Sequence, residues 1–316
     1  MEHYVTLFDS LFLPQGLALH LSMERHIKNY KLWILCVDDQ THVILNKLQL
    51  PNVELLQLSR LETSALLGVK PTRTKGEYCW TLTPFSFRFV FETDRSIERV
   101  TYLDADVWFR KPPTPIFKEF DQSGKHVLIT DHAYAPEHDQ SENSGQYCVQ
   151  FMTFTRGEGE LVRQWWEDRC IEWCYARVEQ GKFGDQKYLD DWPVMFDTKV
   201  HVLSNKELML APWNADRFPY GNSIIWHFQG LRLNASRRYF RIRLSEYPLP
   251  QATQDYVYQA YILDLKQVIG NLLYHGVNIN SQTKKVSWME QLRYKLSPWY
   301  SALKKINRPT AVKIER

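Results

Sequence analysis

The stretch VTYLDADVWFRKPP, residues 100–113, decides how the rest of the chain is read. An apolar run ends in two carboxylates, Asp104 and Asp106, one residue apart. In extended backbone, side chains at i and i+2 point to the same side, so the pair can present two hard oxygen ligands to one divalent cation while Ala105 turns away. The same spacing also fits the solvated polar edge of a strand, or an acid/base pair. The surroundings must decide among these.

Outward from this stretch, strands and helices alternate. HYVTLFD (residues 3–9) predicts a first strand, and LPQGLALHLSMERHI (13–27) the helix that follows, with Leu17, Leu21 and Ile27 roughly on one face. KLWILCVDD (31–39) is an uninterrupted apolar run ending in acid, the pattern of a strand buried on both faces. NVELLQL predicts a third strand, EYCWTLTPFSFRFVFE a helix, and RVTYLDADVWF, taken whole, a fourth strand. HVLIT and YCVQFMTFT continue the strands, followed by a helix over GELVRQWWEDRCIEWCYARVE. This alternation implies an α/β fold with an open, mostly parallel sheet flanked by helices and with ligands near the carboxyl ends of the strands. Beyond about residue 230 the pattern changes: SRRYFRIRLSEYPLP reads as basic and irregular, and YVYQAYILDLKQVIGNLLYH as a helix. The change of pattern divides the chain into 1–235, the α/β unit, and 236–316, a helical, basic and aromatic C-terminal region.

Composition narrows the function classes. With 316 residues, 44% hydrophobic and 14% aromatic, the chain can bury a sizeable core. Thirty-nine lysines and arginines against 36 acids leave a net charge of +3, too even to suggest a nucleic-acid binder from charge alone. The five cysteines are odd in number and scattered, which fits reduced thiols in a cytoplasm better than a disulfide framework or a zinc site. Neither a signal peptide nor a run of about 18 uninterrupted apolar residues stands out, so a cytoplasmic chain, or one attached to a membrane surface, is expected.

Four pieces in order, FDSLFLPQGLALHLSMERH, TYLDAD, FGDQKYLDDWP and WHFQGLR, span about residues 4–232 and together resemble GT-A glycosyltransferases, in particular the family 8-like bacterial nucleotide-diphospho-sugar transferases. The resemblance implies a GT-A fold with a basic helical C-terminal extension. It implies a hexose moved from a nucleotide-diphosphate sugar, with a UDP-sugar favoured, to a saccharide or lipid-linked saccharide acceptor, with retention at the anomeric carbon. Asp104 and Asp106 would bind the metal, with His227 of HFQGLR as third ligand; carboxylates joined to imidazole suit manganese, and magnesium is compatible with the oxygens. A histidine hydrogen-bonded beside an aromatic strand is the structural alternative for His227. Arg232 stands where the family has a lysine and would meet the diphosphate as a planar fork.

The resemblance carries further roles. Thr6, Phe8 and Asp9, at the end of the first strand, would face the nucleotide, Asp9 accepting from the base; a helix cap is the rival role for Asp9. Ala105, between the two aspartates, belongs to the same donor-binding set. Arg88 stands where related enzymes often place a basic residue facing the donor, and an exposed helical arginine is the alternative. Asp185 would hold sugar hydroxyls and Gln186 would sit near the anomeric carbon, whereas Gly-Asp-Gln is also an ordinary helix start with Asp185 as cap. In a second place, besides Arg232, the chain departs from the family: YCVQF puts Cys148 and Gln150 where relatives often carry Asn-x-Gly. APWNAD, residues 211–216, fits a loop on the acceptor or metal side.

Residues 284–316 hold nine lysines or arginines against two glutamates, interleaved with Trp288, Tyr294, Trp299 and Tyr300. Basic residues seek anionic lipid and Trp/Tyr settle at headgroup depth, so contact with an anionic membrane surface is one reading and a solvated helix packing its aromatics on the core is the other. Two rivals to transfer remain: a non-catalytic nucleotide-sugar-binding protein, and a sugar nucleotidyltransferase, whose Gly-rich nucleotide loop VTLFDSLFLPQG lacks.

Overall fold

The computed structural model describes residues 1–235, 239–282 and 312–315. Among the described residues thirteen strands form three sheets: β1 (Glu2–Phe8), β2 (Tyr30–Cys36), β3 (Val53–Gln57), β4 (Arg99–Leu103), β5 (Val107–Phe109), β6 (Val127–Asp131), β7 (Tyr147–Thr155), β8 (Val200–Val202), β9 (Met209–Leu210), β10 (Ile225–His227), β11 (Arg232–Ala235), β12 (Tyr239–Arg243) and β13 (Val312–Glu315). The main sheet has seven strands in the order β3-β2-β1-β4-β7-β6-β8. β1 runs parallel to β2 and β4, while β7 is antiparallel to both its neighbours. The order reverses at β1, which places a crevice beyond the carboxyl ends of β1 and β4.

Apolar residues on both faces of the central strands explain the layers. Tyr4 and Phe8 of β1 pack under helix Leu13–His26, and Val5 and Leu7 pack under helix Lys75–Thr93. The latter helix starts with a reciprocal capping box between Thr74 and Glu77. Gly16 is needed because the Phe8 ring lies directly on it and would collide with a Cβ. All five cysteines are free.

RVTYLDADVWF is two strands, not one. β4 stays in the main sheet, and the chain then turns, with the Val107 amide donating to the Asp104 carbonyl at 3.2 Å. β5 joins a second sheet of order β5-β10-β9, where Val107 pairs with His227 and Trp108 with Trp226. Asp104 and Asp106 therefore sit on a turn between sheets rather than along an extended edge. Pairing with β10, about 120 residues away in sequence, imposes this break, and no local pattern announces it.

SRRYFRIRLSEYPLP contains β12 rather than irregular chain; β12 pairs antiparallel with β11 and β13. The long helix predicted over GELVRQWWEDRCIEWCYARVE ends at Glu172. Helix Gln259–Tyr274 packs on helix Leu13–His26, where Asp264 pairs with Arg25 and accepts from Trp108 Nε1 at 2.7 Å. Among the described residues no helix is long and apolar enough to cross a membrane. The basic and aromatic stretch 284–311 lies outside the described residues.

Candidate active site

The turn after β4 carries the first part of the site. Ala105 is buried in the core, and the two aspartates on either side of it are left partly exposed. The Asp104 amide donates to the Gln150 carbonyl of β7 at 3.1 Å, and the Asp106 carbonyl accepts from the Phe228 amide at 2.8 Å. These bonds tie the turn to the main sheet on one side and to the end of β10 on the other. They bring His227 to the carboxylates: its Nε2 lies 3.1 Å from Asp106 Oδ1 and 3.7 Å from Asp104 Oδ2. One donor atom from each residue lies within 4.8 Å of the other two. Two carboxylates and an imidazole at that spacing could hold a divalent cation.

The electrostatics agree with this geometry. Burial opposes charge on His227, but Asp106 and Asp104 outweigh it and raise the imidazole well above its ordinary value. Burial likewise opposes ionisation of Asp106, and His227 and Arg232 hold its carboxyl below the usual range. Asp104 is pushed up, by burial first and by Asp106 as well, against the pull of His227. The pocket thus carries negative charge that only a proton or a cation beside it offsets.

A cleft of about 460 Å³ opens beside the three residues and is also lined by Asp185, Gln186 and Arg232. Gly184, at φ +55, makes the turn that delivers Asp185, whose carbonyl accepts from Trp166 Nε1 at 2.8 Å. Asp185 caps no helix: the short turn Lys187–Asp191 starts after Gln186 without a side-chain cap. Its carboxyl is 2% exposed, and Oδ2 has no hydrogen-bond partner among the described residues. Burial and the neighbouring Asp104 push Asp185 up to about 8. Gln186 Nε2 donates to the Ser144 carbonyl at 2.6 Å, and the Arg232 guanidinium lies 5.5 Å over the Phe12 ring while Nη1 donates to the Leu231 carbonyl.

Four expected donor-facing residues lie elsewhere or are otherwise engaged. Thr6 and Phe8 are buried beneath helix Leu13–His26, because β1 is the strand around which the sheet order turns and is covered on both faces. Asp9 accepts from the Leu11 and Phe12 amides at 2.9 and 3.1 Å and pairs with Lys75 at 2.6 Å, so it holds the turn into the first helix. Arg88 points away from the cleft: it bonds Glu92 at 2.7 Å and faces Glu167 at 3.9 Å, in a separate arginine- and glutamate-lined groove. Its helix turns that position toward helix Glu158–Glu172, which spacing alone does not reveal.

Sequence reasoning passed over an aromatic wall. His132 stacks on Tyr134 at 4.7 Å between ring centroids, Trp213 stands edge-on to His132 and His227, and Tyr247 completes the lining. Trp213 Nε1 and Asn214 Nδ2 both donate to the His132 carbonyl, which gives the APWNAD loop a place beside the metal-binding candidates. Trp80 and Phe183, with ring centroids 6.0 Å apart, also line the cleft. Cys148 lies at the base; burial opposes its ionisation, but His132 and His227 bring the thiol down to about 7.

No family model matches the chain. Two proteins of Bacillus subtilis (strain 168), both described as uncharacterized, are similar to it. YfnF is 31% identical over 250 residues, covering 73% of this chain and 82% of the relative; YfnD is 29% identical over 292 residues, covering 85% and 90%. Among solved structures, the galactosyltransferase LgtC in complex with donor and acceptor sugar analogs matches with a TM-score of 0.52 at 12% identity, over 84% of this chain and 95% of that one. An active-site mutant of LgtC matches with a TM-score of 0.50 at 12% identity, over 92% and 99%. At these identities the likeness concerns the fold, and the fold is GT-A.

Proposed function

For a chain that belongs to the family of the Bacillus subtilis protein YfnF, we propose metal-dependent glycosyl transfer: a hexose passes from a nucleotide-diphosphate sugar, a UDP-sugar in the first instance, to a saccharide or lipid-linked saccharide acceptor. The observation that carries this reading is the convergence of Asp104, Asp106 and His227 at the mouth of a cleft that also holds Asp185, Gln186 and Arg232. Residues from three separate segments meet there, with an Asp185 carboxyl oxygen that has no hydrogen-bond partner among the described residues.

Asp104, Asp106 and His227 would hold the cation, Mn2+ before Mg2+ because of the imidazole. When bound, such a cation stabilises negative charge developing on a leaving diphosphate. Arg232 adds a fixed positive charge on the same side of the cleft, suited to phosphate oxygens. Asp185, with its free oxygen and a carboxyl that keeps its proton near neutral pH, orients sugar hydroxyls as donor or acceptor. Gln186, held by Ser144, presents its amide at the same place. The aromatic wall of Tyr134, Trp213 and Tyr247 offers apolar faces of the kind that pack against pyranose rings. Family 8-like membership and retention of configuration complete the proposal.

A screen of UDP-, GDP- and dTDP-sugars for hydrolysis with and without Mn2+ tests it. Metal-dependent release of one sugar from one nucleotide is the expected result. Binding of UDP and Mn2+ without turnover on any donor or acceptor would point to a non-catalytic nucleotide-sugar-binding protein instead.

A further inference from the structure

Gln150 lies in the middle of β7, is 1% exposed, and touches two of the three candidate metal ligands. Its backbone carbonyl accepts from the Asp104 amide at 3.1 Å. Its side-chain Oε1 lies 2.9 Å from His227 Nδ1. An amide oxygen has no proton to give, so this contact requires the proton on Nδ1. With Nδ1–H committed, the other ring nitrogen, Nε2, turns its lone pair or second proton toward Asp106 and Asp104. The ring is also held edge-on by Trp213, with centroids 5.4 Å apart, so its plane and its tautomer are both set.

Resting on the reading of Asp104, Asp106 and His227 as a divalent-cation site, we infer that Gln150 is the positioning residue of that site: its side chain orients His227 while its backbone anchors the Asp104 turn. Cys148 and Gln150 mark the one segment where the chain departs from the Asn-x-Gly pattern, and the structure gives the second of these positions a task that glycine cannot perform. Histidine ligands ordinarily donate their second ring N–H to a carboxylate, a carbonyl or water; here a buried glutamine carbonyl is the acceptor. A leucine at the position would fill similar space and leave the buried Nδ1–H only the Cys148 sulfur, a weak acceptor. A glutamate would keep the acceptor and strengthen it.

The test uses the full chain and Mn2+, followed by its free EPR signal with and without UDP, in wild type, Gln150→Leu and Gln150→Glu. In parallel, 15N-histidine labelling identifies the slowly exchanging Nδ1–H resonance of His227 by its absence from His227→Asn. Gln150→Leu should weaken Mn2+ binding by about 10- to 100-fold and lose the resonance, and Gln150→Glu should restore both. Unchanged Mn2+ affinity in Gln150→Leu would overturn the inference. So would absence of the protected Nδ1–H from wild type, which needs no variant to fold. If wild type binds no Mn2+ yet shows the resonance and Gln150→Leu loses it, the hold of Gln150 on His227 stands and the metal-dependent reading of the site fails.

Discussion

Strands β1, β2 and β4 lie side by side at the centre of the main sheet, and each runs into an aspartate just beyond its carboxyl end: Asp9, Asp38 and Asp104. In sequence the three look alike. In the structure, Asp9 is used up by two backbone amides and Lys75. Asp38 accepts from Ser10 and from Thr41 at the start of the next helix; burial opposes its charge, yet these donors hold it down to about 2. The β4 turn is different. Asp104 accepts one hydrogen bond, from the Tyr102 hydroxyl at 2.9 Å, and otherwise faces Asp106, His227 and the buried Asp185. Local donors satisfy the first two aspartates, whereas burial and the neighbouring Asp106 push the third up against the pull of His227. An acid that the fold leaves costly is a better functional candidate than one it has neutralised.

The largest effect that would break this contrast is on turnover. Asp106→Ala should lower metal-dependent donor hydrolysis at least about a thousandfold, on the order of 4 kcal/mol of barrier, with far-UV circular dichroism unchanged. Retained activity would remove the β4 turn from the chemistry.

Next comes the pH dependence of stability. Asp185 has a folded pKa of about 8, above the ordinary carboxylate value of 3.8, so the folded state holds its proton more tightly. Its contribution is fully present below about pH 4 and is lost as pH rises through about 8. Melting of the wild-type chain in EDTA should therefore fall between pH 6 and 9, by up to a few kcal/mol. Asp185→Asn should flatten that fall, and a wild-type profile already flat would refute the assignment.

The cap side of the comparison predicts smaller numbers. Asp9→Ala removes the acceptor for two amides and should cost about 1–2 kcal/mol in urea unfolding. Removing Lys75, whose side chain is 57% exposed, should cost about 0.5 kcal/mol or less, because solvent screens the pair. A UDP affinity that falls more than about tenfold in Asp9→Ala, with stability unaltered, would move Asp9 from scaffold to site.

Much of the arrangement was legible before the structure. The apolar runs of β1 and β2 and the helix between them follow from uninterrupted hydrophobicity and 3.6-residue spacing, whereas the helix Asp39–Leu48 between β2 and β3 went unread. Asp104, Asp106 and His227 were legible as candidates through the order of motifs, and the fold brings them together. Thr6 and Phe8 are buried, and nearness to a strand end does not tell which face a side chain takes. Arg88 shows the same limit on a helix, where Thr83 lines the cleft and Arg88, five residues on, faces Glu167.

By itself the sequence determined the α/β alternation, the charge balance that disfavours nucleic acid, and the residue types able to hold a cation. Those properties are local or additive, and residue patterns carry them directly. Only the tertiary structure decided that RVTYLDADVWF breaks into β4 and β5, that Gln150 meets His227 across 77 residues, and that Tyr134, Trp213 and Tyr247 share one wall. Each of these depends on which segments pair at long range. That choice is made by burial and hydrogen bonding summed over the whole chain, and no short stretch contains it.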